Sequence, residues 1–141
     1  RFGSPVEGAL VLDLFAGTGA LGFEALSRGA SHVTFVDNGR TGARLIADNR
    51  RKLGVESETA LIRADACRLP ANAGKPFDLV FLDPPYGQKL GEKALASSAW
   101  IAPGALVIWE ENAPQDAPEG YAKMDSRRYG DTNITILEAL E

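Results

Sequence analysis

The residues best suited to chemistry in this sequence are one short motif and four aspartates. The motif is Asp83-Pro84-Pro85-Tyr86. Adjacent prolines fix φ and lack N–H groups but keep their carbonyls, so the local surface is rich in acceptors. Asp83 adds a carboxylate and Tyr86 a flat ring. Such a set suits an exocyclic amino group on a purine. Its two N–H bonds donate to Asp83 and to a carbonyl, while the base stacks on the tyrosine, a contact worth about 1–3 kcal/mol. Acceptors on both hydrogens favour a pyramidal nitrogen whose lone pair is free to attack. The alternative for Pro84-Pro85 is a rigid loop after a strand; its place downstream of a glycine turn and beside further acids favours the chemical reading.

The other acids are Asp13 in "VLDLFAGTG", Asp37 in "VTFVDN" and Asp65 in "LIRADA". With Asp83 they fall near the ends of four successive strand-like runs. In a parallel sheet all four sit along the carboxyl edge, where such folds bind ligands. One aspartate there is usually a turn or cap residue; four in equivalent positions point to a guest. Gly17, Gly19 and Gly22 fit GxGxxG at a strand-to-helix turn, which lets a ligand approach the backbone and aims helix N–H groups at an anion. That motif alone fits nicotinamide, flavin and S-adenosylmethionine (AdoMet) sites, and Gly22 reads best as a close-packing residue. Asp37 lies 20 residues after Gly17, a spacing that suits ribose hydroxyls in either ligand class. Charge separates the classes. Carboxylates crowded around a pyrophosphate repel it, by about 4 kcal/mol for a pair at roughly 4 Å and an effective dielectric near 20. AdoMet has no phosphate: it offers a sulfonium, an ammonium, ribose hydroxyls and an adenine amino group to acidic acceptors. Asp13 and Asp83 therefore favour AdoMet. Methyl displacement in line then depends on positioning, which contributes about 7–11 kcal/mol in well-oriented reactions. The amine proton turns acidic only as the N–C bond forms, so Asp83 or water takes it and no histidine base is needed.

These residues need a scaffold, and the hydrophobic pattern supplies one. Strands are expected at Leu10–Phe15, His32–Val36, Thr59–Arg63, Phe77–Leu82 and Ala105–Glu110, with a hairpin of Tyr121–Tyr129 and Thr132–Ala139 around Gly130-Asp131. Helices are expected at Ala20–Arg28, at Arg40–Leu53 with Ala43, Ile46, Ala47 and Leu53 inward, and at Gly91–Trp100. Strand–helix alternation with nearly all-apolar early strands predicts an α/β, Rossmann-like three-layer sandwich, a mostly parallel sheet covered on both faces.

The 141 residues predict a single domain. A net charge of −4 gives no global basic footprint, so a nucleic-acid partner needs a local patch. Cys67 is the only cysteine, which excludes an internal disulfide and fits a reducing cytoplasm; His32 is the only histidine, which excludes a His-rich metal site. No stretch is apolar for the length of a membrane span. No membrane or metal partner is expected. The opening "RFGSPVEGA" reads as the approach to a strand.

At this point the sequence resembles a known family. "DLFAGTG" with "DPPY" is similar to AdoMet-dependent amino-methyltransferases. "VLDLFAGTGALGFEALSRGA", "FDLVFLDPPYG" and "RRYGDTNITIL" resemble the bacterial small-subunit (16S) ribosomal RNA guanine-N2 methyltransferases over nearly the whole chain. The resemblance implies a class I methyltransferase fold, with a seven-stranded sheet of order 3-2-1-4-5-7-6 and an antiparallel last strand. It implies that Asp13, Phe15, Gly17 and Gly19 belong to the first AdoMet motif, that Asp37 with Asn38 meets the ribose, that Asp65 and Ala66 lie at the adenine edge, and that Asp83, Pro84, Pro85 and Tyr86 form the catalytic loop. It also implies a ribosomal RNA or small-subunit partner. Members normally carry a basic segment ahead of the first motif, which residues 1–141 lack, so RNA binding is expected to be weak in this chain. The same loop chemistry on a DNA adenine is the alternative; a nicotinamide oxidoreductase and a non-catalytic RNA-binding module are more distant ones. Arg127 and Arg128, beside Tyr129, are candidate RNA contacts, set against the plain reading of a charged edge that discourages strand pairing.

Overall fold

The computed structural model describes residues 4–96 and 98–141; Arg1–Gly3, in the expected approach to the first strand, and Ser97, in the expected third helix, lie outside the described residues. The chain runs through β1 (Leu10–Leu14), α1 (Ala20–Ser27), β2 (His32–Val36), α2 (Arg40–Leu53), β3 (Thr59–Ile62), β4 (Phe77–Leu82), α3 (Leu90–Leu95), β5 (Ile101–Glu111), β6 (Tyr121–Tyr129) and β7 (Thr132–Ala139). The strands form one sheet in the order β3-β2-β1-β4-β5-β7-β6, as the resemblance implied. β1 to β5 pair in parallel, and β7 runs antiparallel to both β5 and β6.

Side chains of the sheet alternate between two cores. Val11, Val33, Phe35 and Leu79 pack with Ala25 of α1 and Ile46 of α2. On the opposite face Leu12, Leu14, Val36, Val80, Leu82, Val107 and Trp109 pack with Ala94 and Leu95 of α3. Burial on both faces is why β1, β2 and β4 read as apolar runs without a polar stripe. Each fully buried aliphatic side chain contributes about 1.5–3 kcal/mol of transfer energy. The second face is only partly covered by a helix: the connection from β3 to β4 is irregular, leaving a groove of about 670 Å³ lined by Leu10, Thr34, Ile62, Phe77 and Trp100 among others.

Three expectations change. The helix expected over 91–100 stops at Leu95, and a 3-10 turn at Ser98–Trp100 brings Trp100 into the core. Its ring lies parallel to Phe77 at 5.9 Å, and its Nε1–H donates to the Pro70 carbonyl at 2.8 Å. Strand β5 starts at Ile101, not Ala105, because its register against β4 slips between Phe77 and Leu79. Pro103 and Gly104 (φ 83°) occupy that irregularity, where a missing N–H removes no ladder bond. Leu53, expected inward, is exposed in the last turn of α2.

Candidate active site

The site is built where β1 leaves the sheet. Residues 15–19 must reverse the chain into α1, and Phe15, Gly17 and Gly19 all adopt positive φ, at 58°, 60° and 83°. Glycine takes that region freely, whereas a non-glycine residue there stores about 1–3 kcal/mol of strain. Phe15 is thus a strained residue at the rim. The turn is tied on several sides. Ala16 N–H donates to the Val36 carbonyl at 3.0 Å, and Gly19 N–H to the Ala16 carbonyl at 2.8 Å. Gly17 N–H donates to Asp37 Oδ2 at 2.7 Å, while Asp37 Oδ1 accepts the Gly39 N–H at 2.7 Å. Asp13 is 1% exposed, and its Oδ2 accepts the Gly22 N–H at 3.0 Å. A Cβ at Gly22 would sit 2.4 Å from Phe35 Cε1 and 2.8 Å from Val33 Cγ1, so only glycine lets α1 lie this close to the sheet. At Gly42 a Cβ would meet the Gly17 carbonyl oxygen at 2.7 Å; α2 packs directly on the turn.

Two adjoining concavities open at the carboxyl ends of the strands. The smaller, about 30 Å³, is lined by Phe15, Val36, Asp37, Asn38, Ala64, Asp65 and Ala66. The larger, about 440 Å³, is lined by Phe15, Asp37, Asn38, Asp83, Pro84, Pro85 and Tyr86. Phe15, Asp37 and Asn38 belong to both. The motif at residues 83–86 therefore shares one groove with the acids that end β2 and β3. Gly17 and Gly19 form the turn beside it. Asp13 lies behind the turn, outside the lining of either concavity, with its carboxylate on the Gly22 amide. The acidic lining comes from Asp37, Asp65 and Asp83. Asp65 Oδ1 also accepts the Cys67 N–H at 2.9 Å, which fixes the loop after β3.

Two carboxyls are pushed into the neutral range. Burial raises Asp13 to about 7, against the opposing Gly22 hydrogen bond and with further help from the charges of Asp83 and Asp37. Asp83 is also raised to about 7, first by burial, then by a hydrogen bond with Glu110 and by the charges of Glu110 and Glu111.

Glu110 and Glu111, which sequence reasoning missed, adjoin the site without lining either concavity. They end β5, the strand beside β4. Glu111 is buried, and its carboxylate accepts the Trp109 Nε1–H at 3.3 Å; burial pushes this carboxyl above the usual glutamate range. The register places the two consecutive glutamates at the end of β5 beside the start of the loop at residues 83–87. The available signal was an acid at the end of β5 level with Asp83, legible only once the β4–β5 register is known.

Fold and rim together define a class I methyltransferase architecture. A solved Escherichia coli structure matches with a TM-score of 0.84 and 28% identity, covering 96% of this chain and 77% of that one. A Haemophilus influenzae structure matches with a TM-score of 0.84 and 33% identity, over 96% and 89%. The family model described as conserved hypothetical protein 95 matches residues 2–138, and the chain belongs to that family. Ribosomal RNA small subunit methyltransferase D of Haemophilus influenzae is 38% identical over 136 residues, covering 90% of this chain and 70% of the relative. The protein of that name in Escherichia coli is 34% identical over 113 residues, and the match spans 57% of its length.

Proposed function

We propose that this protein transfers a methyl group from AdoMet to the exocyclic N2 amine of a guanine in small-subunit ribosomal RNA. The observation that supports this most directly is the composition of the groove. Asp37, Asp65 and Asp83 line it with Phe15 and Tyr86, and no lysine or arginine appears among its described lining residues. That lining suits a phosphate-free cationic donor and disfavours a dinucleotide. In this reading the glycine turn and the first amides of α1 receive the donor's carboxylate. Asp37 and Asn38 take the ribose hydroxyls, and Asp65 with Ala66 meets the adenine edge. The donor supplies the activated methyl group; the chain supplies placement. Asp83 and a proline carbonyl hold the two amine hydrogens, and Tyr86 stacks on the base.

In this reading the RNA side lies beyond the motif loop. A cleft of about 490 Å³ at the same end of the sheet is lined by Asn112, Ser126, Arg127, Arg128, Asp131 and Asn133 among others. Its guanidinium and amide donors suit phosphates or base edges next to the target nucleotide. The relatives' names support ribosomal RNA as the substrate; with the lone Cys67, that substrate fits a reducing cytoplasm as the working compartment. No helix among the described residues is long and apolar enough to cross a membrane.

The decisive experiment measures AdoMet-dependent methyl incorporation into small-subunit ribosomal RNA, into assembled subunits and into duplex DNA, with mass-spectrometric mapping of the product. N2-methylguanine in the RNA is expected. N6-methyladenine in DNA, or calorimetric binding of NADH in preference to AdoMet, would overturn the reading.

A further inference from the structure

Among the described residues the exposed aromatic side chains are Tyr86, in the motif loop, and Tyr129, at the tip of the β6–β7 hairpin. β7 is antiparallel to both β5 and β6, so β6 runs parallel to β5 and Tyr129 comes out at the same carboxyl edge as the loop. The register fixes its side. Phe81 pairs with Ile108, Ile108 with Ile136, and Ile136 with Asp125. Side chains alternate along a strand, so Asp125, Arg127 and Tyr129 share the sheet face of Phe81 and Ile108, the one that bears α1 and α2. Three strand spacings, about 14 Å, separate β4 from β6.

Tyr129 is 60% exposed and follows two anchored cations in sequence. Arg127 Nε pairs with Asp125 Oδ2 at 2.7 Å, and Arg128 Nε donates to the Gly130 carbonyl at 2.8 Å. A guanidinium already held in place loses less freedom when it grips a phosphate. Edge protection accounts for the charges and for the bulge between Lys123 and Asp125, but it does not require a large ring at the tip. Tyr129 pairs with Thr132 to close the hairpin, a role that a β-branched residue fills as well.

We propose that Tyr129 is a second stacking platform: it takes a base of the unpaired RNA segment that carries the target guanine, with Arg127 and Arg128 on the neighbouring phosphates. This rests on the methyl-transfer reading, which puts the target base on Tyr86. A duplex hides its base faces, whereas a single strand offers them to aromatic rings and its phosphates to guanidiniums. One ring after β4 and another at the end of β6 thus select a single-stranded stretch around the target.

The test is fluorescence-anisotropy binding, at low salt, of a labelled single-stranded oligoribonucleotide with a central guanine, and of the same strand annealed to its complement. Wild type is compared with Tyr129→Phe and with Tyr129→Val, which keeps strand propensity and removes the ring. Tyr129→Val should bind the single strand about 5- to 150-fold more weakly and the duplex as wild type does. Tyr129→Phe should keep wild-type affinity for both. An abasic site is then walked along the strand. At one position it should cost wild type as much as the valine substitution does, and cost the valine variant nothing further. Undiminished single-strand binding by Tyr129→Val, an equal loss on the duplex, no binding by wild type, or a walk in which no abasic site weakens wild type overturns the platform. Methyl transfer to small-subunit ribosomal RNA is assayed alongside. Tyr129-dependent binding without methyl transfer keeps the platform and overturns the enzyme reading. Methyl transfer that Tyr129→Val leaves at the wild-type kcat/KM overturns the platform alone.

Discussion

Asp37 accepts the Gly17 N–H with one carboxylate oxygen and the Gly39 N–H with the other, each at 2.7 Å. One side chain thereby ties the glycine turn after β1 to the start of α2. Asp37→Ala releases both amides and removes a groove acid. We expect a loss of about 1–3 kcal/mol in urea unfolding, with AdoMet affinity in calorimetry falling at least tenfold. A variant with unchanged AdoMet affinity would remove Asp37 from the donor site.

The buried Asp13 carboxyl makes stability depend on pH. It titrates at the ordinary 3.8 when unfolded and at about 7 when folded. Between those values the folded state binds the extra proton, so stability falls as pH rises from about 4 to about 7 and levels off above. Asp83, raised to about 7, adds a slope of the same sign. Asp13→Asn keeps an acceptor for the Gly22 N–H and abolishes the Asp13 share. Urea midpoints at pH 5 and pH 8 should therefore differ less in Asp13→Asn than in wild type. Equal differences would contradict the assignment.

Gly22→Ala places a methyl group within 2.4 Å of the Phe35 ring and 3.0 Å of Asp13 Oδ2. The ring is held by its tilted contact with Phe23, at 4.7 Å between centroids, so α1 must lift. The expected cost is about 1–3 kcal/mol, read as a lowered denaturant midpoint, with weakened AdoMet binding because the turn moves with the helix.

Arg127 and Arg128 line the cleft beyond the motif loop. Replacing either by alanine should weaken RNA binding and reduce the salt slope of log K by about one. AdoMet affinity should stay unchanged, which titration calorimetry checks. An unaltered salt slope would leave these arginines as edge protection only.

Much of the fold was legible because burial on both faces leaves β1, β2 and β4 with plain apolar runs bounded by turn residues. The groove was legible for a related reason: parallel pairing sends every strand end to one edge, so Asp37, Asp65 and Asp83 could be placed together from spacing alone. The illegible parts depend on pairing between distant segments. Pro103-Gly104 reads locally as a break, yet the register slip absorbs it inside β5. Asp13 reads as a ligand acid, yet α1 folds back over it and takes its carboxylate. Glu110 and Glu111 read as the polar end of a strand; they stand beside the motif loop only because β5 docks beside β4.

The strand order has a consequence for how the groove assembles. β4 lies beside β1, although two helices and two strands separate them along the chain. The rim residues Phe15, Asp37, Asn38 and Asp65 come from a continuous stretch, 10–66, that closes through short-range crossovers. Those of the motif loop arrive with 77–139, after a long and entropically slow closure. A seam between early and late pieces thus runs between Phe15 and Asp83, and a guest that touches both works as a latch, raising the free energy of partial opening there more than at the outer strands.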